Sequence, residues 1–122
     1  MFESQHNTIL DNNVIDEATL NALCAAIGEE AMKDFLERFL EDCKARTERI
    51  TEAYGKSRFS EVELEAHTLG TSAATYGALN LEKICREIES AKPGKHQGFQ
   101  DRINCLNLLS EQSLQALRDY AV

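Results

Sequence analysis

Apolar residues recur at three- and four-residue steps along nearly the whole chain, which is the spacing of one face of an α-helix. The longest such run is residues 29–55, EEAMKDFLERFLEDCKARTERITEAYG. Its apolar stripe consists of Met32, Phe35, Leu36, Phe39, Leu40, Cys43, Thr47, Ile50 and Tyr54. No segment alternates apolar and polar residues as a half-buried β-strand does. The periodicity therefore predicts an all-α fold.

Helix start and stop signals divide this pattern into five helices. Asp16 is the predicted N-cap of a short first helix, and Gly28 is its predicted end. Ser57 or Ser60 is the predicted N-cap of the third helix, which Gly77 interrupts. The apolar stripe of the fourth helix, ALNLEKICREIESA, consists of Leu81, Ile84, Cys85 and Ile88.

A loop, KPGKHQG, separates the fourth helix from a last helix over about residues 99–120. Long amphipathic helices joined by short loops usually form an antiparallel bundle. We therefore expect an up-down four-helix bundle, with the short first helix capping one end. This domain covers residues 14–122, and the polar segment 1–13 is a candidate for disorder. Because the helices carry enough apolar surface to close their own bundle, we expect a monomer.

The charge balance argues against nucleic acid as a partner. The 122 residues include 13 basic and 21 acidic side chains, for a net charge of −8, whereas binding to phosphate backbones depends on clustered Lys and Arg.

No apolar run approaches the roughly 20 residues that a membrane-spanning helix needs. The opening residues, MFESQHNTILDNN, lack the basic and apolar regions of a signal peptide. We expect a cytoplasmic protein that does not bind membranes.

The chain has four cysteines, Cys24, Cys43, Cys85 and Cys105, and no C-x-x-C pair. A zinc site would need ligand pairs at close spacing. Each cysteine lies near apolar residues at helical spacing, and free cysteine is among the most buried residue types. We predict that all four are reduced core residues.

The third helix contains His67, whose direction follows from the geometry of the helix. The core face of this helix consists of Phe59, Val62, Ala66, Leu69, Ala73 and Tyr76. Since each residue advances the helix by about 100°, His67 lies roughly 130° from the centre of that face. The imidazole should therefore point to solvent or to the flank of the bundle. His6, in the polar segment, and His96, in the loop, have no comparable setting.

The residues around His67 along the helix are mostly small. Those three, four and seven positions away on its face are Glu63, Leu64, Gly70, Thr71 and Ala74. Glycine inside a helix costs about 0.5–1 kcal/mol relative to alanine, so its presence suggests a purpose. We expect Gly70, Thr71 and Ala74 to form a flat floor on which a globular partner docks, with Leu64 as an apolar contact. Glu63 either orients the imidazole ring or is simply a solvated acid.

One exposed imidazole limits the chemistry that the site can perform. A catalytic triad would need a nucleophile, and Ser72 faces elsewhere on the helix. A metal site would need a further ligand one turn away, where the chain has Thr71. Neutral imidazole is a competent nucleophile near physiological pH. The arrangement therefore suits a phosphoryl carrier.

The stretch AHTLGTSAATYGALNLEKICREIE resembles the signature of histidine-containing phosphotransfer (HPt) domains, approximately A-H-x-L-K-G-S-[SA]-x-x-x-G-A-x-x-L. The residues that match in register are Ala66, His67, Leu69, Ser72, Ala73, Gly77, Ala78 and Leu81. The upstream run, a short helix and a glycine leading into a long helix, is also similar to the family. The resemblance covers about residues 14–120.

The resemblance implies that His67 is the phosphoacceptor, through Nε2, in a two-component phosphorelay. The implied partners are a response-regulator receiver domain, whose aspartate exchanges the phosphoryl group with His67, and a hybrid sensor kinase. It also implies that Mg²⁺ is supplied by the receiver, so we expect no cofactor and no metal bound by this chain. Since the chain lacks a G-x-x-x-x-G-K-[ST] motif, we expect a phosphocarrier without ATP-dependent kinase activity of its own.

Two positions depart from the family pattern, which often has Lys and Gly where this chain has Gly70 and Thr71. The usual Lys is thought to assist near the phosphoryl group, so its replacement affects either the transfer rate or the choice of partner. The same departure leaves an alternative open, in which the chain is a helical adaptor that binds a receiver or another signalling protein without carrying phosphate.

Overall fold

The computed structural model describes residues 14–91 and 98–121, and all regular secondary structure within these two ranges is helical. The helices are α1 (Glu17–Ile27), α2 (Glu29–Gly55), α3 (Phe59–Thr75), α4 (Leu79–Ser90) and α5 (Phe99–Ala121). The predicted all-α fold is confirmed. The polar segment 1–13 with His6 and most of the KPGKHQG loop with His96 lie outside the described residues.

Helices α2 to α5 form a four-helix bundle. Each of these helices packs against the next one along the chain, and α5 closes the ring by packing against α2. The connections at residues 56–58 and 76–78 are so short that the chain must turn back on itself, which makes the joined helices antiparallel neighbours. The short α1 packs against α2. None of the helices in the described ranges combines the length and apolarity that crossing a bilayer requires.

The core follows the apolar stripes of the four bundle helices. The residues of α3 and α4 that are buried are Val62, Ala66, Leu69, Gly70, Ala73, Leu81, Ile84, Cys85 and Ile88. From α2 and α5 the largest contributions are Met32, Leu36, Phe39, Ile50, Phe99, Ile103, Leu106 and Leu117. The predicted stripe of α4 is confirmed in full.

Two predicted core positions, those of Phe35 and Cys105, are wrong. Phe35 is 40% exposed, because it lies on the flank of the face that buries Met32 and Leu36. Cys105 is exposed, whereas Cys43 and Cys85 are buried and Cys24 is half-buried against the core. Cys105 lies about 100° around α5 from the buried Leu106, which turns its thiol away from the core. All four cysteines are free thiols.

The first helix begins at the predicted cap. Asp16 Oδ1 accepts a hydrogen bond from the backbone N–H of Ala18 at 3.3 Å, and Oδ2 accepts one from Thr19 Oγ1 at 2.7 Å. Gly28 ends α1, and its N–H donates to the carbonyl of Cys24 at 2.8 Å. Both predictions for α1 are therefore confirmed.

The predicted serine cap of α3 is wrong. Arg58 precedes the helix, and no side chain caps it. The connection from α2 is closed by backbone hydrogen bonds instead: Arg58 N–H donates to the carbonyl of Ala53 at 2.8 Å, and Ser57 takes a positive φ of 59°. These bonds satisfy carbonyl groups at the carboxyl end of α2, while the first N–H groups of α3 have no side-chain acceptor.

Gly77 ends α3 and anchors α1. Its φ is +68°, and its carbonyl accepts a hydrogen bond from the N–H of Asp16 at 2.7 Å. A Cβ atom at this position would lie 2.9 Å from the carbonyl oxygen of Asp16 and 3.1 Å from Thr19 Cβ. Only glycine fits here, because a side chain would require both an unfavourable φ and the displacement of another backbone segment.

Candidate functional site

His67 lies on the outer side of α3, as its angle from the core face predicts. Its side chain is 58% exposed, whereas Ala66 and Leu69 beside it are completely buried. The imidazole therefore stands on a convex surface of the bundle, where a second protein can reach it.

The imidazole is held by a carboxylate from the neighbouring helix. His67 Nδ1 lies 2.8 Å from Oε2 of Glu89 on α4, and the side chain of Glu89 is 34% exposed. An ionised carboxylate accepts hydrogen bonds and cannot donate them. The proton of the neutral ring therefore lies on Nδ1, and the lone pair lies on Nε2. The contact fixes the orientation of the ring and leaves Nε2 as the free nucleophilic atom.

Glu63, the carboxylate that the sequence offered as a ring-orienting group, does not have this contact. No hydrogen bond or ion pair joins it to His67, and its side chain is half-buried, so the ring-orienting interpretation of Glu63 is wrong. Sequence reasoning missed Glu89 because it searched three and four positions along one helix. Glu89 is 22 positions away and reaches His67 only because α3 and α4 pack side by side.

Arg86, also on α4, is the second residue that sequence reasoning missed. Its Nη1 lies 3.4 Å from the backbone carbonyl oxygen of His67 and 3.6 Å from Glu89 Oε1. Its Nη2 lies 3.9 Å from Glu82 Oε2. One carboxylate, that of Glu89, therefore touches both the imidazole through Oε2 and the guanidinium through Oε1.

Gly70 is placed differently from the exposed docking floor that the sequence suggested. It is buried, and a Cβ atom on it would lie 3.0 Å from Arg86 Nη1 and 3.1 Å from Cys85 Cβ. The expectation of an exposed Gly70 is therefore wrong in placement: the residue is small because α4 passes directly over it.

The other residues predicted to contact a partner are exposed. Leu64 is 65% exposed, and Thr71 and Ala74 also lie on the surface. The hydroxyl of Thr71 donates to the backbone carbonyl of His67 at 3.1 Å rather than to the imidazole. Their role in binding a partner stays a prediction.

No group of three or more His, Cys, Asp and Glu side chains within residues 14–91 and 98–121 is arranged to hold a metal ion. The site therefore consists of one accessible nucleophile, its carboxylate support and an adjacent guanidinium.

A helical bundle that presents an oriented, accessible histidine on its outer side is typical of one class of protein, the group carriers, whose reactive atom a docking partner must reach. The family to which the chain belongs agrees with this class. The model of the Hpt domain matches residues 34–120, most of the chain, so the chain belongs to the Hpt domain family, the histidine phosphotransfer proteins of phosphorelays. As a class, its partners are receiver domains and kinases.

The fold agrees with this membership. The crystal structure of histidine-containing phosphotransfer protein B from Pseudomonas aeruginosa PAO1 matches with a TM-score of 0.83 and 18% sequence identity. The match covers 90% of this chain and 96% of that one. At this identity the likeness shows the shared bundle fold. Among curated protein sequences, none matches the chain significantly.

Proposed function

We propose that His67 is the residue that carries the phosphoryl group, on Nε2, between receiver domains of a two-component phosphorelay. The observation that supports this most strongly is the 2.8 Å hydrogen bond from His67 Nδ1 to Glu89 on an otherwise exposed imidazole. It leaves Nε2 of this 58% exposed side chain unprotonated, which is the state that an attacking nitrogen must have.

The transfer is a single displacement at phosphorus. The lone pair of His67 Nε2 attacks the phosphorus of an aspartyl phosphate on the receiver, and the N–P bond forms as the P–O bond to the aspartate breaks. The aspartate leaves as a carboxylate. The ring keeps its proton on Nδ1, and Glu89 balances the positive charge that the ring acquires. The reverse step uses the same atoms in the opposite order.

The Mg²⁺ that neutralises the equatorial oxygens in such transfers belongs, in this proposal, to the receiver. Supporting this assignment, the carboxylate nearest to His67 is already engaged: Glu89 binds the imidazole with one oxygen and faces Arg86 with the other. This chain contributes the nucleophile and its orientation, and the partner contributes the metal.

The receiver is proposed to dock on the face of α3 around His67. Thr71 and Ala74 continue the helical row of His67 with short side chains, and Leu64 offers an exposed apolar side chain at the preceding turn. Short side chains allow close approach, and an exposed leucine beside the nucleophile provides the apolar centre that protein interfaces use.

The test is phosphorylation of the purified protein by phosphoramidate, read by intact mass at neutral pH. We expect one added acid-labile phosphate in the wild-type protein and none in a His67→Gln variant of equal helicity. Absence of phosphate on the wild-type protein, under conditions that label a known carrier, would favour the adaptor alternative. Phosphate retained by His67→Gln would place the acceptor elsewhere.

A further inference from the structure

Arg86 places a positive charge beside Gly70, a position at which the sequence itself has no charged side chain. The family pattern often has Lys at the position of Gly70, which cannot supply a charge. In the structure the space just outside Gly70 is filled by Arg86 from α4: a Cβ atom on Gly70 would lie 3.0 Å from Nη1 and 3.2 Å from Cζ. The guanidinium thus lies in close contact with the position where a side chain at residue 70 would begin.

Resting on the proposed function, we propose that Arg86 is the cation that stabilises the phosphoryl group on His67, and that residue 70 is glycine because Arg86 fills the space above it. A positioning and charge-compensating role for Arg86 is distinct from the nucleophilic role of His67. It also explains why residue 70 is glycine. A docking surface does not explain this, because Gly70 is buried.

Electrostatics creates the need for such a cation. A phosphoryl group brings a charge of about −1.5 to −2 near neutral pH. It would be attached to a ring that already touches the carboxylate of Glu89 at 2.8 Å. The ring, which keeps its proton and becomes positive, compensates only part of the charge of these two anions, so a second positive charge nearby lowers the remaining repulsion. Arg86 lies 3.6 Å from Glu89 Oε1 and 3.4 Å from the backbone carbonyl oxygen of His67, which places a positive charge next to both residues.

The contacts of Arg86 leave its donors available. They measure 3.4 Å to the carbonyl of His67, 3.6 Å to Glu89 and 3.9 Å to Glu82, all longer than the roughly 2.7–2.9 Å of strong charge-assisted hydrogen bonds. The side chain is 40% exposed. A guanidinium has five N–H donors in a planar fork that matches phosphate oxygens. Arg86 is therefore close to His67 but not committed to tight partners, and it can turn toward a phosphoryl oxygen.

The test compares Arg86→Gln and Arg86→Lys with the wild-type protein in two measurements. One is the rate of labelling by phosphoramidate, and the other is the ³¹P NMR titration of the phosphoryl group once attached. We expect Arg86→Gln to lower the rate about 5- to 10-fold and to raise the pKa of the phosphoryl group by about half a unit, because a nearby cation favours its dianion. Arg86→Lys, which keeps the charge but loses the planar fork, should have a rate between those of Arg86→Gln and the wild type and should keep the wild-type phosphoryl pKa.

A double variant that moves the cation from residue 86 to residue 70 distinguishes the effect of the charge of Arg86 from the effect of its packing. In Arg86→Ala the space above Gly70 is open except for Cys85 Cβ at 3.1 Å, so Gly70→Lys in that background returns a cation by the other route. We expect the double variant to recover part of the lost rate and to restore the phosphoryl pKa. Melting temperatures of all variants verify that the bundle remains folded.

The outcomes distinguish this inference from the proposed function. No labelling of the wild-type protein would overturn both. Normal labelling of the wild type, with Arg86→Gln matching it in rate and in ³¹P titration, would overturn the role of Arg86 alone. Equal loss of rate in Arg86→Gln and Arg86→Lys, with an unchanged phosphoryl pKa, would make Arg86 a packing residue and overturn the inference as well.

Discussion

Glu89→Gln tests whether the carboxylate beside His67 assists the transfer. The substitution removes the charge but keeps the shape and an amide oxygen that can still accept from Nδ1. A hydrogen bond to a charged group contributes about 1.5–3 kcal/mol, against about 0.5–1.5 kcal/mol for a neutral one. Since the two side chains are 58% and 34% exposed, solvent screening places the difference near the low end, at about 1 kcal/mol.

This difference acts on the rate because the ring becomes positive as the N–P bond forms. A carboxylate therefore binds the transition state more tightly than the resting imidazole, and only such differential binding accelerates the step. One kcal/mol corresponds to about a fivefold change in rate. We expect Glu89→Gln to be phosphorylated about five times more slowly than the wild type, at fixed phosphoramidate concentration and pH, as followed by intact mass.

Glu63→Gln is the matched control, because it makes the same change of charge one turn from His67 along α3 without touching the imidazole. We expect it to alter the rate by about twofold or less, because Glu63 is half-buried without a contact to the imidazole and acts on it only through a longer, partly screened distance. Equal slowing in the two variants would show that net charge, rather than the 2.8 Å contact, sets the rate. A wild-type rate in Glu89→Gln would refute the reasoning altogether.

Two further predictions concern the scaffold. Gly77→Ala should lower the free energy of unfolding by about 2–4 kcal/mol in urea titrations, because of the strain at φ +68° and the contact with the carbonyl of Asp16 at 2.9 Å. Gly55→Ala, whose added Cβ meets nothing within 4 Å, should change the free energy of unfolding by less than about 1 kcal/mol. Equal effects of the two substitutions would contradict the packing argument. Brief treatment of the folded protein with iodoacetamide at pH 8, read by peptide mass, should modify the exposed Cys105 well before Cys85. Burial raises the pKa of Cys85 to about 12, so its reactive thiolate is scarce at pH 8. Comparable labelling of the two cysteines would contradict the burial of Cys85.

The sequence was sufficient wherever one helix decides the outcome. Residues 29–55 were predicted as a helix and form one with the same bounds, because a long amphipathic stripe between two glycines leaves little choice. The outward direction of His67 follows equally from the 100° step around α3. These properties depend on positions along a single helix, which periodicity records directly.

The sequence was insufficient wherever two helices decide the outcome. Gly70 is buried, and Glu89 rather than Glu63 holds the imidazole, because α4 crosses α3 at a particular register. A periodic pattern shows which face of each helix is apolar but not how far one helix is shifted along the other. The predicted serine cap of α3 is wrong because Arg58 directly precedes the helix and no side chain accepts a hydrogen bond from its first turn.

The position of His67 on an open, convex surface has a consequence for the speed of signalling. A protein interface covers roughly 800 Å² on each partner, and every partner that exchanges phosphate must place its own interface over this one side chain. A donor and an acceptor therefore cannot be bound together, and each must dissociate before the other arrives. In the proposed relay, the residence time of each partner then sets a ceiling on turnover, so tighter binding to His67 would slow the flow of phosphate rather than increase it.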